Sequence, residues 1–187
     1  SLKNSLEKTG ATVDVITNFS KPNIYSGLLL PGVGNFDPAM KSICKSSKTG
    51  FNDYVKDNTP VLGICLGMEM FFEKSEEGNE NGLGIINGDV IILPPSMKVP
   101  HMGWNNLEIK KSGKILQGVK DNAWVYFVHS YRVKPTNNDV ITAESDYGIK
   151  VPAVVEQGNF FGTQFHPEKS GDVGKIIIHN FLDMCKK

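Results

Sequence analysis

The sequence is poor in arginine: Arg132 is the only one, and every other basic residue is a lysine. A dedicated arginine cluster for phosphate therefore cannot be assembled within the chain. Neither sign of charge is in excess, since 20 Lys+Arg stand against 20 Asp+Glu. That leaves no electrostatic footprint for nucleic acid or an anionic membrane surface. Cysteine is scarce and odd in number, at positions 44, 65 and 185. Such a set fits a reducing compartment better than a disulfide framework, so a cytoplasmic location is expected. No apolar run approaches membrane-spanning length, and no signal-peptide pattern stands at Ser1. The histidines do not cluster with other ligands at metal-binding spacing, so no metal is expected.

What is present is a globular composition, 40% hydrophobic over 187 residues, enough for one domain spanning 1–187 with a substantial core. The chain is organised around residues 60–70. Val61–Ile64 reads as a short buried strand, and 66–73 is a run of good helix formers. Cys65 sits at the joint, with Gly63 two residues before it and Gly67 two residues after. That is the spacing of a nucleophile elbow, with small residues where backbones approach closely. A helix N-terminus behind Cys65 would favour its thiolate. The competing reading, an inert buried cysteine, has to be weighed against the rest of the chain.

Leu2 and Leu6 mark one face of a short helix that Thr9-Gly10 can end. Residues 11–17 alternate around Val13 and Val15 and read as a strand, and Leu28–Leu30 reads as a second, buried one. The glycines of Pro31-Gly32-Val33-Gly34 announce unusual backbone geometry just past a strand end. Asp37-Pro38 reads as N-cap and first residue of a helix over 38–48, with Met40, Ile43 and Cys44 inward. Phe51, Tyr54 and Val55 form another helical face. Buried strands with helical crossovers predict an α/β fold with a mostly parallel central sheet.

Beyond an acidic, glycine-rich loop over 75–84, strands are expected at 89–93, 104–109, 123–129, 139–144, 153–156 and 160–165, with a hairpin at Gln157-Gly158-Asn159. This half predicts a smaller antiparallel β region. Asp172 reads as the cap of a last helix whose inward face is Val173, Ile176, Ile177, Phe181 and Met184. The chain opens on a helix, without an initiator methionine, whereas a doubly wound sheet usually opens on a strand. A first strand is therefore expected to be missing from this sequence.

Gln164-Phe165-His166-Pro167-Glu168-Lys169-Ser170 supplies the second half of a site. His166 ends an apolar strand, and Pro167 constrains the step to Glu168. Functional groups of α/β sheets gather at the C-terminal ends of strands. Cys65, His166 and Glu168 would make a triad of thiolate nucleophile, general acid–base and orienting carboxylate. Acyl chemistry also needs an oxyanion hole, for which the N–H groups of Leu66 and Val33 are the natural donors. Val33 lies between two glycines, so the Gly32–Val33 peptide is easily rotated. In the chain alone its N–H is expected to point away from Cys65.

Gly-Ile-Cys-Leu-Gly, Pro-Gly-Val-Gly-Asn-Phe and Phe-His-Pro-Glu-Lys-Ser resemble the triad-type, class I glutamine amidotransferases. Residues 100–105, Pro-His-Met-Gly-Trp-Asn, and 126–132 narrow this to the glutaminase subunits of imidazole glycerol phosphate synthases. The resemblance covers nearly the whole chain. It implies a three-layer fold and hydrolysis of L-glutamine through a Cys65 thioester. It also implies delivery of ammonia to a cyclase partner with a (β/α)8 barrel in histidine biosynthesis. It assigns Cys65, His166 and Glu168 to the triad and Val33 with Leu66 to the oxyanion hole. Gly32, Glu69, Glu77, Ser130 and Tyr131 fall to the substrate. His101, Met102, Gly103, Trp104, Asn105, Tyr126 and His129 fall to the partner face. The crowding of His101, Met102 and Trp104 into what reads as a non-periodic loop suits interface anchors. No cofactor is implied.

The chain departs from the family at Glu69, where many relatives carry glutamine; an ionised carboxylate accepts hydrogen bonds but cannot donate them. The alternatives are the glutaminase of another amidotransferase, a non-enzymatic elbow-cysteine protein of similar fold, and an ester or peptide hydrolase.

Overall fold

A computed structural model describes residues 2–17, 24–32, 34–45, 51 and 58–186. The order is α1 (Leu2–Glu7), β1 (Leu28–Leu30), α2 (Phe36–Lys45), β2 (Val61–Ile64) and α3 (Leu66–Glu69). Then follow β3 (Lys74–Ser75), β4 (Gly88–Ile92), β5 (His101–Asn106), β6 (Glu108–Ile109), β7 (Trp124–His129) and β8 (Tyr131–Pro135). The chain closes with β9 (Ile141–Asp146), β10 (Lys150–Gln157), β11 (Phe160–Thr163) and α4 (Gly171–Cys185).

The main sheet runs β1-β2-β11-β10-β9-β6. Its strands β1, β2 and β11 are parallel, and pairing turns antiparallel from β11 outward. A three-stranded sheet β3-β4-β8 and a ribbon β5-β7 complete the β structure. Side chains alternate across the main sheet, as strand geometry requires. Val61, Leu28 and Leu30 face a core with Phe36, Met40, Met68, Phe71 and Phe72. Leu62, Ile64 and Phe161 face a core with Phe127, Phe165, Ile177 and Phe181. Two buried faces enclosed by helices and further β structure make the α/β layering.

Residues 11–17 are not a strand. A strand needs an edge to bond to, and the outer edge of β1 carries no strand among the described residues. Between them lies a groove of about 930 Å³ whose walls include Val13, Val15, Leu29 and Phe181. Val15 is 76% exposed, so the alternation of Val13 and Val15 buries no common face, and the segment lies across the groove from the outer edge of β1 without pairing to it.

Other boundaries move for local reasons. Helix α2 begins at Phe36, before Asp37, whose carboxylate instead accepts from Asn79 and Glu80 N–H and pins the acidic loop. Met40 and Ile43 are buried as expected, whereas Cys44 is exposed. Residues 46–48, Tyr54 and Val55 lie outside the described residues. On α4, Gly174 and Ile178 take buried positions, and Ile176 is 36% exposed. Ser170, not Asp172, is the N-cap residue. The His101–Asn106 stretch is a strand rather than a loop, paired residue for residue with β7. Strand β8 escapes a sequence reading because Arg132 and Lys134 dilute its apolar period; Val133 and Pro135 alone are buried.

Helix α3 lies directly on the sheet. A Cβ at Gly67 would stand 1.9 Å from the Leu30 carbonyl oxygen, and one at Gly63 would stand 2.5 Å from the Gly67 carbonyl oxygen. Backbone cannot yield there as a flexible side chain could. Gly67→Ala is expected to lower stability by about 2 kcal/mol or more, measured by denaturant unfolding. An unchanged midpoint would show that α3 does not rest on β1.

Candidate active site

Cys65 leaves β2 with φ 52° and ψ −110°, a left-handed conformation that costs a non-glycine residue energy. Its N–H donates to the Thr163 carbonyl oxygen of β11 at 2.7 Å, so the strained residue is held by the neighbouring strand. The elbow forms here because glycines at 63 and 67 let the turn fold onto the sheet. Gly32 presses on it from β1: a Cβ there would meet the Ile64 carbonyl oxygen at 2.1 Å and Leu66 N at 2.8 Å. The loop after β1 thus touches the peptide that follows the nucleophile. Val33, proposed as the other oxyanion donor, lies outside the described residues, as does the expected orientation of its N–H.

β11 runs parallel beside β2, with Thr163 opposite Ile64, so the residues that follow each strand meet at the same end of the sheet. His166 is set there by its N–H, which donates to the Tyr126 carbonyl oxygen at 2.9 Å. Pro167–Lys169 makes one 3-10 turn that folds Glu168 back onto the ring, placing Glu168 Oε1 2.8 Å from His166 Nδ1. Burial pushes the Glu168 carboxyl up, but the hydrogen bond and charge of His166 outweigh it, and the group sits below its ordinary range. The other carboxylate oxygen, Oε2, is buried without a hydrogen-bond partner. Ser170 braces the turn, donating to the His166 carbonyl oxygen at 2.7 Å and accepting from Tyr126 N–H at 3.0 Å.

The sulfur is not a resting thiolate. Burial, then the charge of Glu69, push the Cys65 thiol up to about 12, against the Leu66 N–H and the Gln164 amide, which pull it down. The expected help from a helix dipole is small because α3 is only four residues long. The sulfur lies 3.8 Å from the Val128 carbonyl oxygen and 3.9 Å from Gln164 Nε2.

Gln164 is a site residue that sequence reasoning passed over, because it reads as one member of a strand. Its Nε2 also donates to Glu69 Oε1 at 3.2 Å, and its Oε1 is buried and unpaired. Glu69 is 4% exposed. Burial raises its pKa to about 7; the Gln164 hydrogen bond opposes this and the charge of Glu77 adds to it. Glu77 accepts from Phe36 N–H at 3.0 Å through Oε2, tying it to the start of α2. Ser130 and Tyr131, where β7 gives way to β8, are half-buried.

A family profile described as glutamine amidotransferase class-I matches residues 1–185. The chain belongs to that family. It is 46% identical over 172 residues to the imidazole glycerol phosphate synthase subunit HisH of Methanocaldococcus jannaschii, covering 91% of this chain and 87% of that protein. It is 42% identical to the protein of the same name from Caldanaerobacter subterraneus, covering 100% and 93%. A crystal structure of a glutamine amidotransferase superposes with a TM-score of 0.78 at 18% identity, covering 100% and 93%. A glutamine amidotransferase from Thermotoga maritima gives 0.67 at 19%, covering 97% and 76%. These structural likenesses show the amidotransferase fold.

The residues assigned to a partner face separate into two groups across the β5-β7 ribbon. Met102 and Trp104 are exposed, while Gly103, Asn105 and Tyr126 are half-buried. Trp124, opposite Asn106 in the ribbon, adds 58% exposure to the same side and was missed because it reads as an ordinary strand residue. His101 and His129 are buried at 3% and 5% exposure and present no surface. They alternate inward because even-numbered ribbon positions point outward. Burial lowers His101 to about 4 and His129 to about 3, so both are neutral near pH 7.

For Glu69 the folded pKa lies above the unfolded one, so the unfolded chain loses its proton first as pH rises. The stability tied to its protonated form is present below about 4.5 and is lost as pH rises through about 7. Glu69→Gln removes that loss. The stability of the variant relative to wild type is expected to rise between pH 5 and pH 8 by roughly 3 kcal/mol. Urea unfolding of both proteins at the two pH values checks this; a pH-independent difference would mean that Glu69 is ionised throughout.

Proposed function

We propose that the chain is the glutaminase subunit of an imidazole glycerol phosphate synthase, hydrolysing L-glutamine to L-glutamate and ammonia for a cyclase partner. The observation that carries this is the strained Cys65 just after β2, beside the parallel strand β11 that leads into the hydrogen-bonded His166–Glu168 pair, in a chain with close HisH relatives. His166 Nε2 takes the thiol proton as Sγ attacks the side-chain carbonyl carbon of glutamine. The tetrahedral oxyanion forms beside the N–H of Leu66, and rotation of the Gly32–Val33 peptide adds the Val33 N–H. His166 then returns its proton to the departing nitrogen, releasing ammonia and leaving a thioester. Water, deprotonated by His166, opens the thioester to glutamate and restores the thiol.

Glu77 supplies negative charge for the substrate α-ammonium, and Glu69 lines the same site as a carboxyl that accepts from Gln164. The Ser130–Tyr131 backbone receives the α-carboxylate. Met102, Trp104, Tyr126 and Trp124 form the face for the cyclase, a (β/α)8 barrel that completes a heterodimer. The phosphorylated substrate belongs to that partner, in keeping with the single arginine of this chain. No helix among the described residues is long and apolar enough to cross a membrane, and the cytoplasm is the proposed location.

Cys65→Ala is expected to reduce glutamine hydrolysis by roughly 10⁴-fold or more while leaving ammonia-dependent synthesis by the complex intact. Cys44 is exposed on α2 and Cys185 ends α4, so neither can substitute. Substantial glutaminase activity in the variant would overturn the assignment. For the partner face, Trp104→Ala should weaken the complex by about 2 kcal/mol with no loss of melting temperature. Unchanged affinity in the folded variant would remove Trp104 from the interface. Glutamine turnover is expected to be slow in the isolated chain and faster in the complex, since one oxyanion donor is worth roughly a hundredfold or more in rate. Equal rates would eliminate the peptide switch.

A further inference from the structure

Behind the exposed ribbon lies a string of buried polar groups that the chemistry above does not use. His129 Nδ1 is 2.7 Å from the Tyr131 carbonyl oxygen, which can only accept, so Nδ1 carries the proton and Nε2 is bare. His101 Nδ1 is 2.9 Å from that Nε2 and must therefore donate to it. This leaves His101 Nε2 as an acceptor for Asn105 Nδ2 at 3.4 Å, and the same amide donates to the Asp146 carbonyl oxygen at 2.9 Å. One direction of donation runs through the whole string, from Asn105 through both imidazoles to Tyr131. Reversing one ring would break a bond at each of its ends. The His101 ring is clamped between Tyr147 and Phe127, with ring centroids 3.9 and 4.6 Å away.

At the inner end, the Ser130 carbonyl oxygen accepts from Leu93 N–H at 2.9 Å. A trans peptide is planar, so this fixes the Tyr131 N–H on the opposite side. His129 fixes the next peptide through the Tyr131 carbonyl. At the outer end, His101 and Asn105 flank Met102 and Trp104 on the same strand.

We propose that His101 and His129 are positioning residues, a two-imidazole string that sets the Ser130–Tyr131 peptides for the glutamine α-carboxylate and links them to the outer ribbon. The inference rests on the proposed glutaminase reading. The string touches no reacting atom. It acts by holding donors in place, so its loss falls on substrate binding before it falls on bond cleavage.

The test has two arms. His101→Phe keeps an aromatic ring between Tyr147 and Phe127 and deletes both nitrogens. In the complex with the cyclase, this variant should raise KM for glutamine about tenfold with kcat changed less than about twofold, and leave affinity for the cyclase unchanged. His101→Asn, whose amide nitrogen can take the place of Nδ1 and still donate to His129, should recover most of that loss. The second arm needs no variant: ¹⁵N resonances of the wild-type rings should show Nδ1–H tautomers for both His101 and His129 between pH 6 and 8. An unchanged KM in a folded His101→Phe complex, or an Nε2–H tautomer at either ring, would overturn the string. A wild-type complex that hydrolyses no glutamine would instead overturn the functional reading, and the tautomers would then decide the string by themselves.

Discussion

The site depends on how closely the turn after β2 can lie on the sheet. Gly63, Gly67 and Gly32 place backbone against backbone at distances that no side chain tolerates. Cys65 accepts a left-handed conformation as the consequence, and the bond from its N–H to Thr163 holds it there. β11, the strand that supplies Thr163, also leads into His166 and Glu168 at the same end of the sheet. One close approach of backbones thus sets the elbow beside the strand that leads into the His166–Glu168 pair, and glycines permit it.

That packing also leaves the sulfur only partly exposed, with an electrostatic result that a motif cannot reveal. A helix of four residues offers little dipole, Glu69 adds negative charge, and the thiol stays protonated near pH 7. Gln164 sits between these two groups and is the one neutral donor that reaches both. Burial and the charge of Glu69 both disfavour the thiolate, so attack through this sulfur calls for a base to take its proton.

Much of this was legible in the sequence. The elbow follows from Gly63, Cys65 and Gly67, and the His166–Glu168 pair from the proline between them. Strands with clean apolar runs, such as Val61–Ile64 and Phe160–Thr163, were legible for the same reason. What was not legible came from tertiary context. Residues 11–17 have a strand's alternation in sequence but pair with no strand among the described residues. His101–Asn106 looks aperiodic because Gly103 and the inward His101 interrupt an apolar pattern, yet it pairs fully with β7. The inward turn of His101 and His129 could not be read from composition, since histidine suits an interface and a buried string equally well. Gln164 was hidden because it reads as the continuation of β11, which ends at Thr163, and Trp124 because it lies in an otherwise ordinary strand.

The central claim is that Cys65 rests as a half-buried neutral thiol in the elbow. The direct measurement is the pH dependence of Cys65 alkylation in the isolated chain, followed site by site with mass spectrometry in a Cys44→Ser, Cys185→Ser background. The account predicts slow reaction at neutral pH, with a rate that keeps rising beyond pH 9. A rate that saturates below pH 7 would mean a resting thiolate, and would contradict it.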